Sequence, residues 1–380
     1  MGSPTVVPMR NRFVPFAALL LCAAASPAQS PELSWTPQQL EQLRTWLKSA
    51  PLEGLTLPRE LNLALANASP SGAALGLAHV HLFGSASAPQ RAGWNIQSND
   101  GAIDLPALLA AALIRNDLDG FFKSLRPRNP QYEALRLALL SETDPGKRAN
   151  LIRNLERWRW MPLDMGHRYL LVNAPGFEVG LWENGRKVEH WRVIVGKPKT
   201  PTPVFSAVVT GVIVNPWWDV PSSIVAESVG RLTRTSPAKA RQRGYVWGGG
   251  SYRQRPGPGN SLGLMKLVMP NPYNVYLHDT PAKALFKKPV RAFSHGCIRV
   301  DKALDFAARL LGRSVDAEVA RGSTVTLPIG DPLPVYVTYF TADVSDAGSV
   351  EYFGDIYGRD ARMVGGHKPA PNSPDRSVKQ

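Results

Sequence analysis

The sequence predicts an α+β fold: a mostly helical N-terminal scaffold domain, then a β-rich, sandwich-like domain that carries a long insertion. Three observations lead there. From about residue 32 to 150, apolar residues recur at helical spacing in successive segments. After Met161 they alternate with period two. Residues from about 218 to 263 follow neither rhythm and are rich in Gly, Pro, Ser and Arg.

Thr36-Pro37-Gln38-Gln39 is a helix start, with Thr at the cap, Pro at the first position and Gln three after the cap. Leu40, Leu43 and Leu47 then share one face, with Trp46 beside them. A second helix is expected around Tyr132, Leu135 and Leu139, and a third around Leu151, Leu155 and Trp158. Strands are expected at Tyr169 to Val172, Phe177 to Trp182, Val188 to Val195 and Val208 to Val214. Asn184-Gly185 is a hairpin turn between the second and third of these. Strands resume at Met265 to Met269 and Tyr273 to His278. Asp301 is expected to cap a short helix bearing Leu304, Ala307 and Leu311. Thr324 to Leu327, Val335 to Phe340 and Val350 to Phe353 are expected as closing strands. The insertion at 218–263 holds seven Lys or Arg against two acidic residues, and a stretch of this length inside a domain is disordered or a functional lid. The domains are therefore drawn at 32–150 and 151–360, with a disordered tail at 361–380.

Residues 1–28 have the three parts of a secretory signal: Arg10 and Arg12, an apolar run from Phe13 to Ala25, and small residues at Ser26-Pro27-Ala28. The expectation is export to the periplasm, with no stable membrane span once the signal is cleaved; an uncleaved signal would serve as an N-terminal anchor. Of 380 residues 44% are apolar, enough for real cores. The net charge of +14 is spread through the chain, so no nucleic-acid tail is indicated. Such a charge suits an anionic wall or membrane surface.

The chain has two cysteines, and Cys22 lies in the signal segment. That leaves Cys297, in Ser294-His295-Gly296-Cys297-Ile298-Arg299-Val300, as the one thiol of the mature protein. A lone thiol in an exported protein is a buried small hydrophobe, half of an intermolecular bridge, or a nucleophile. Two of the seven histidines favour the nucleophile. His278 ends a predicted strand, and the chain to Cys297 is long enough to return on a neighbouring strand. The imidazole can then lie opposite the thiol as its base. His295 is better placed to support the turn. Gly296 permits a strained turn, and the N–H groups of Gly296 and Cys297 are expected to converge on a developing oxyanion. No Asp or Asn stands out as a partner for His278, so its orienting group stays open, a main-chain carbonyl being one candidate. His278, His295 and Cys297 lack the paired close spacing of a zinc site, so no metal or cofactor is expected.

His278, fifteen intervening residues and Ser294-His295-Gly296-Cys297 resemble the signature of the L,D-transpeptidase family with its YkuD-type catalytic domain. Asn271-Pro272-Tyr273-Asn274-Val275-Tyr276-Leu277-His278-Asp279-Thr280-Pro281 and Asn215-Pro216-Trp217-Trp218 are similar to that family too. Residues from about 150 to 360 resemble its catalytic domain, and 32–150 is more weakly similar to the scaffold of the large Gram-negative branch. That branch carries a small peptidoglycan-binding domain, but here Leu140 reaches Leu151 through about ten residues, and no such domain fits. The resemblance implies a thioester between Cys297 and a peptidoglycan tetrapeptide stem, release of D-Ala, and transfer to an amine of a second stem to give a 3-3 cross-link. It implies His278 as base and acid, and His295, Gly296 and Ser294 as shapers of the turn and oxyanion site. Tyr276 and Arg299 would contact substrate, Arg299 at a stem carboxylate. Many relatives carry Asn where this chain has Arg299. Carbapenem-type inhibitors would acylate Cys297. Water as acceptor would instead make an L,D-carboxypeptidase or cross-link hydrolase. A non-catalytic wall-binding protein would not need the cysteine.

Overall fold

The computed structural model describes residues 33–57 and 70–363; the expected signal segment and residues 364–380 of the expected tail lie outside the described residues. Helix α1 (Pro37–Ser49) begins where the sequence places it. Thr36 Oγ1 accepts from the Gln39 N–H at 3.2 Å, and the Gln39 side chain accepts from the Thr36 N–H at 3.0 Å. This reciprocal cap satisfies two orphan donors of the first turn. Helices α2 (Pro70–Phe83), α3 (Leu105–Arg115), α4 (Leu118–Ser124), α5 (Pro130–Ser141) and α6 (Pro145–Trp158) follow. Helix α6 runs across the domain boundary drawn at 150/151. The reason is packing: Leu151, Leu155 and Trp158 belong to the same apolar cluster as Tyr132, Leu135 and Leu139 of α5.

The β-rich part is built on strands β2 (Arg168–Asn173), β3 (Glu178–Glu183), β4 (Arg186–Gly196), β5 (Val204–Val214), β9 (Met265–Val268), β10 (Leu277–His278), β12 (Ile298–Val300) and β13 (Val325–Thr338). Their order is β5-β13-β2-β3-β4-β12-β10-β9, and β9 pairs again with β5 over Gly211–Val214, so the sheet closes on itself. Closure removes the free edges of a sandwich. The short β1 (Trp94–Asn95), from the helical part, adds to β5 in parallel. Asn184 and Gly185 both have positive φ at the β3–β4 turn, as a tight primed hairpin needs.

Strand β2 shows why its sequence is apolar at consecutive positions. Leu170 and Val172 face the core inside the sheet, whereas Tyr169 and Leu171 face helices α5 and α6. Each such fully buried side chain contributes about 1.5–3 kcal/mol, so the helical part is a structural partner of the sheet.

The segment 218–263 is folded, which removes the disordered alternative and leaves that of a lid. Strands β6 (Trp218–Asp219), β7 (Tyr245–Gly248) and β8 (Ser251–Gln254) form an antiparallel sheet in the order β6-β8-β7. The short helices α7 (Ser222–Ile224), α8 (Gly230–Thr235) and α9 (Pro237–Gln242), with one π-helical turn at Val225–Val229, lie between β6 and β7. Side-chain amides hold it together: Asn260 donates to the carbonyls of Pro216, Gln254 and Arg255, and Gln254 to those of Arg243 and Gly259. Asp301 does not cap the helix that follows, α10 (Ala303–Leu311), whose cap residue is Lys302 with left-handed backbone. Its carboxylate instead takes the Arg192 guanidinium through two donors, at 2.6 and 3.1 Å.

His81 of α2 is fully buried, edge-on to Trp46 and beside Phe122, and neither ring nitrogen has a partner among the described residues. Burial, then the charges of Arg159 and Arg126, hold its pKa well below the ordinary value of 6.5. The neutral ring thus contributes stability above pH 6.5 that is lost as pH falls toward its depressed folded value. Urea denaturation of His81→Leu should lose less stability than wild type between pH 6.5 and 4.5. An unchanged acid slope would contradict this.

Candidate active site

The site is assembled by strand register. Strands β10 and β12 run parallel, with Leu277 opposite Ile298 and His278 opposite Arg299, and the Ile298 N–H bonds to the Tyr276 carbonyl. Leu277 and Ile298 enter the core. With period two, Tyr276, His278, Cys297 and Arg299 then share the opposite face. Strand β9 pairs Lys266 with His278 and adds Lys266 to the same face, its ammonium 4.1 Å from the centre of the Tyr276 ring. Lys266 was not among the residues expected from sequence. The signal for it was one lysine in the apolar run Met265-Lys266-Leu267-Val268, at a position that alternation keeps out of the core.

The turn bearing Cys297 hooks over the end of β4. Strand β11 (Ala292–Ser294) pairs in parallel with it at Gly196, and β12 returns antiparallel at Ile194. Gly296 sits at φ +115°, a backbone that side chains resist. Buried Ser294 shapes the turn: its hydroxyl accepts from the Gly296 N–H at 3.1 Å and donates to the Cys297 carbonyl at 2.5 Å. This alters the expected oxyanion site. The Gly296 N–H is already engaged, so of the expected pair only the Cys297 N–H is left for a substrate.

His278 is buried, at 4% exposure. Its orienting group is the carbonyl of the next residue, Asp279, 2.5 Å from Nδ1. Nδ1 therefore carries the proton and Nε2 is the acceptor. Asp279 is itself fixed, its carboxylate accepting from the Leu264 N–H and pairing with Lys283. A side chain on Gly263, at φ +63°, would collide with that carboxylate. Burial, then the charge of Arg299, lowers the pKa of His278 to about 4, against the pull of the Asp279 carbonyl, Asp279 itself and the Leu262 carbonyl. The imidazole is thus neutral at pH 7.

The Cys297 thiol is half-buried and points at the Asn274 carbonyl, 3.7 Å away, rather than bonding to His278. Burial pushes its pKa up; the Tyr276 N–H and the charges of Lys266 and Arg299 pull it down. The resting site thus holds a neutral thiol and a neutral imidazole. The buried Nε of Arg299 has no partner among the described residues. His295 turns away from the thiol: its Nε2 lies 2.7 Å from Glu227 in the π-helical turn of the insertion and 3.3 Å from the Lys197 ammonium. It joins the turn to the insertion. Among the described residues no three His, Cys, Asp or Glu converge to hold a metal ion, and no helix is long and apolar enough to cross a membrane.

The family model of the YkuD L,D-transpeptidase catalytic domain matches residues 167–337, and that of the Scaffold domain matches 28–139. The chain thus carries a YkuD-type L,D-transpeptidase catalytic domain and a Scaffold domain. A Haemophilus influenzae protein named "Putative L,D-transpeptidase" is 29% identical over 283 residues, 67% of this chain and 57% of that protein. The chain thus spans a little over half the length of this curated relative. Among solved structures, an L,D-transpeptidase from Mycobacterium smegmatis is 17% identical over 45% of this chain and 58% of its own, at a TM-score of 0.27. L,D-transpeptidase 3 from Mycobacterium tuberculosis, in complex with a faropenem-derived adduct, is 20% identical over 45% and 60%, at a TM-score of 0.26.

If the two cations assist ionisation, Lys266→Met and Arg299→Met should each slow alkylation of Cys297 by iodoacetamide at pH 8, roughly threefold. Mass spectrometry of the Cys297 peptide reads the rate. Equal or faster alkylation would mean that the charges do not reach the sulfur.

Proposed function

We propose that this protein is a periplasmic cysteine acyltransferase that cross-links peptidoglycan by L,D-transpeptidation. The observation that supports this best is the shared face of Cys297, His278, Tyr276, Arg299 and Lys266 beside a basic insertion. The Cys297 sulfur attacks the carbonyl between the L-centre of diaminopimelate and the terminal D-Ala of a tetrapeptide stem. As the S–C bond forms, Nε2 of neutral His278 takes the thiol proton. The Cys297 N–H faces the oxyanion. When the C–N bond breaks, His278 passes its proton to the leaving D-Ala amine. Burial and Arg299 disfavour the imidazolium, so it gives that proton up readily.

A side-chain amine of a second stem then attacks the thioester. His278 takes a proton from it, the 3-3 amide forms, and the thiol is restored. Lys266 and Arg299 suit a carboxylate-bearing stem, and the unspent Arg299 Nε is a donor ready for one. The His295–Glu227 pair docks the basic insertion against the turn, where it excludes water from the thioester.

The test is mass spectrometry of disaccharide-tetrapeptide incubated with wild type and Cys297→Ala. Wild type alone should yield a dimer that has lost one D-Ala. Tripeptide alone would make water the acceptor, and no product from either protein would contradict the proposal. A carbapenem should add its mass to the Cys297 peptide of wild type, and should do so at least a hundredfold more slowly in His278→Ala. An equal rate in both would remove His278 from the chemistry.

A further inference from the structure

Residues 355–360 lie beyond the matched catalytic domain, which ends at residue 337. They nevertheless reach the turn that carries Cys297, through Thr202. Thr202 is fully buried in the loop after β4. Its hydroxyl accepts from the Gly196 N–H at 2.9 Å and donates to the Gly296 carbonyl at 2.8 Å. One side chain thereby ties the end of β4 to the peptide unit that joins Gly296 to Cys297. That unit is planar and trans, so its carbonyl and N–H point in opposite directions. With the carbonyl held by Thr202, the Cys297 N–H is turned away from the interior. This is the same N–H left free because Ser294 engages that of Gly296.

Thr202 is in turn fixed from the C-terminal segment. The Tyr357 hydroxyl accepts from the Thr202 N–H at 3.3 Å and donates to the Gly196 carbonyl at 2.7 Å. Arg359 donates to the Thr202 carbonyl at 3.1 Å. Both residues rest on Tyr339: its ring stacks on that of Tyr357, and the Arg359 guanidinium lies 4.8 Å from its centre. Asp355 fastens the segment by accepting from the Tyr339 hydroxyl and from the Arg359 and Asp360 N–H groups. Asp360 pairs at 2.6 Å with buried Arg157 of α6, in the helical part. Backbone and side chain of Thr202 are therefore both held, and no rotation about its χ1 is free.

We propose that Thr202 is a positioning residue for acyl transfer: with the Tyr357–Arg359 strap behind it, it sets the direction of the Cys297 N–H that receives the oxyanion. The proposal rests on Cys297 being the acyl-accepting nucleophile. It does not depend on which stem or acceptor the enzyme uses.

Two reagents separate positioning from mere stability. p-Nitrophenyl acetate acylates a thiol through a tetrahedral oxyanion, whereas iodoacetamide alkylates it by direct displacement with no oxyanion. Both are read on the Cys297 peptide of the full chain by mass spectrometry. Thr202→Val keeps the shape and loses the hydroxyl. It should slow acylation roughly 10–100-fold and leave alkylation within about twofold. Thr202→Ser, which keeps the hydroxyl, should recover most of the acylation rate. Tyr357→Phe, remote from the thiol, should slow acylation by less, again without slowing alkylation; it serves should Thr202→Val fold poorly. Parallel loss of both reactions, or loss of neither, would overturn the proposal. A wild type that p-nitrophenyl acetate does not acylate at Cys297 would overturn it as well. Failure to cross-link stem peptides, with the reagent pattern intact, would remove only the assigned substrate.

Discussion

The site depends on one register, the parallel pairing of β10 with β12 that sets Leu277 opposite Ile298. Because side chains alternate, burying those two in the core forces Tyr276, His278, Cys297 and Arg299 to the other face. A slip of one residue would bury the thiol's neighbours and expose the core pair. Burial of Leu277 and Ile298 is thus also what specifies the chemistry. The parallel pairing requires the chain between them to cross over, and residues 279–297 do so through the 3-10 turn Lys283–Lys287 and β11.

The electrostatics follow from the same placement. A histidine on a covered sheet face is desolvated, and Arg299, its partner across the register, raises the cost of protonating it further. The carbonyl of Asp279 fixes the tautomer without adding a full charge. A buried carboxylate in that place would have favoured the imidazolium at rest. The result is an imidazole that is neutral at rest, as the proposed transfer of the thiol proton requires.

Much of this was legible from residues. The strands with clean alternation, the Asn184-Gly185 hairpin and the Thr36 cap appear as expected. The spacing from His278 to Cys297 carried the idea of two neighbouring strands. What the sequence hid was held by side chains bonding to backbone. Tyr273 to His278 alternates like a strand, yet only Leu277–His278 pairs. The Asn271 side chain bonds to the backbone of Met269, Tyr273 and Val275 and so replaces the ladder with a turn. Asn260 and Gln254 do the same for the insertion, so its glycine-rich composition concealed a folded unit. Lys266, Thr202 and the strap at 355–360 come from distant parts of the chain, and nothing local marks their convergence.

The most direct test of this account is nitrogen-15 NMR of the His278 imidazole across a pH titration. The ring should stay neutral with its proton on Nδ1 from pH 8 down to about 5, and protonate near pH 4. An imidazolium at pH 7, or a neutral ring protonated on Nε2, would contradict the geometry from which the mechanism is built.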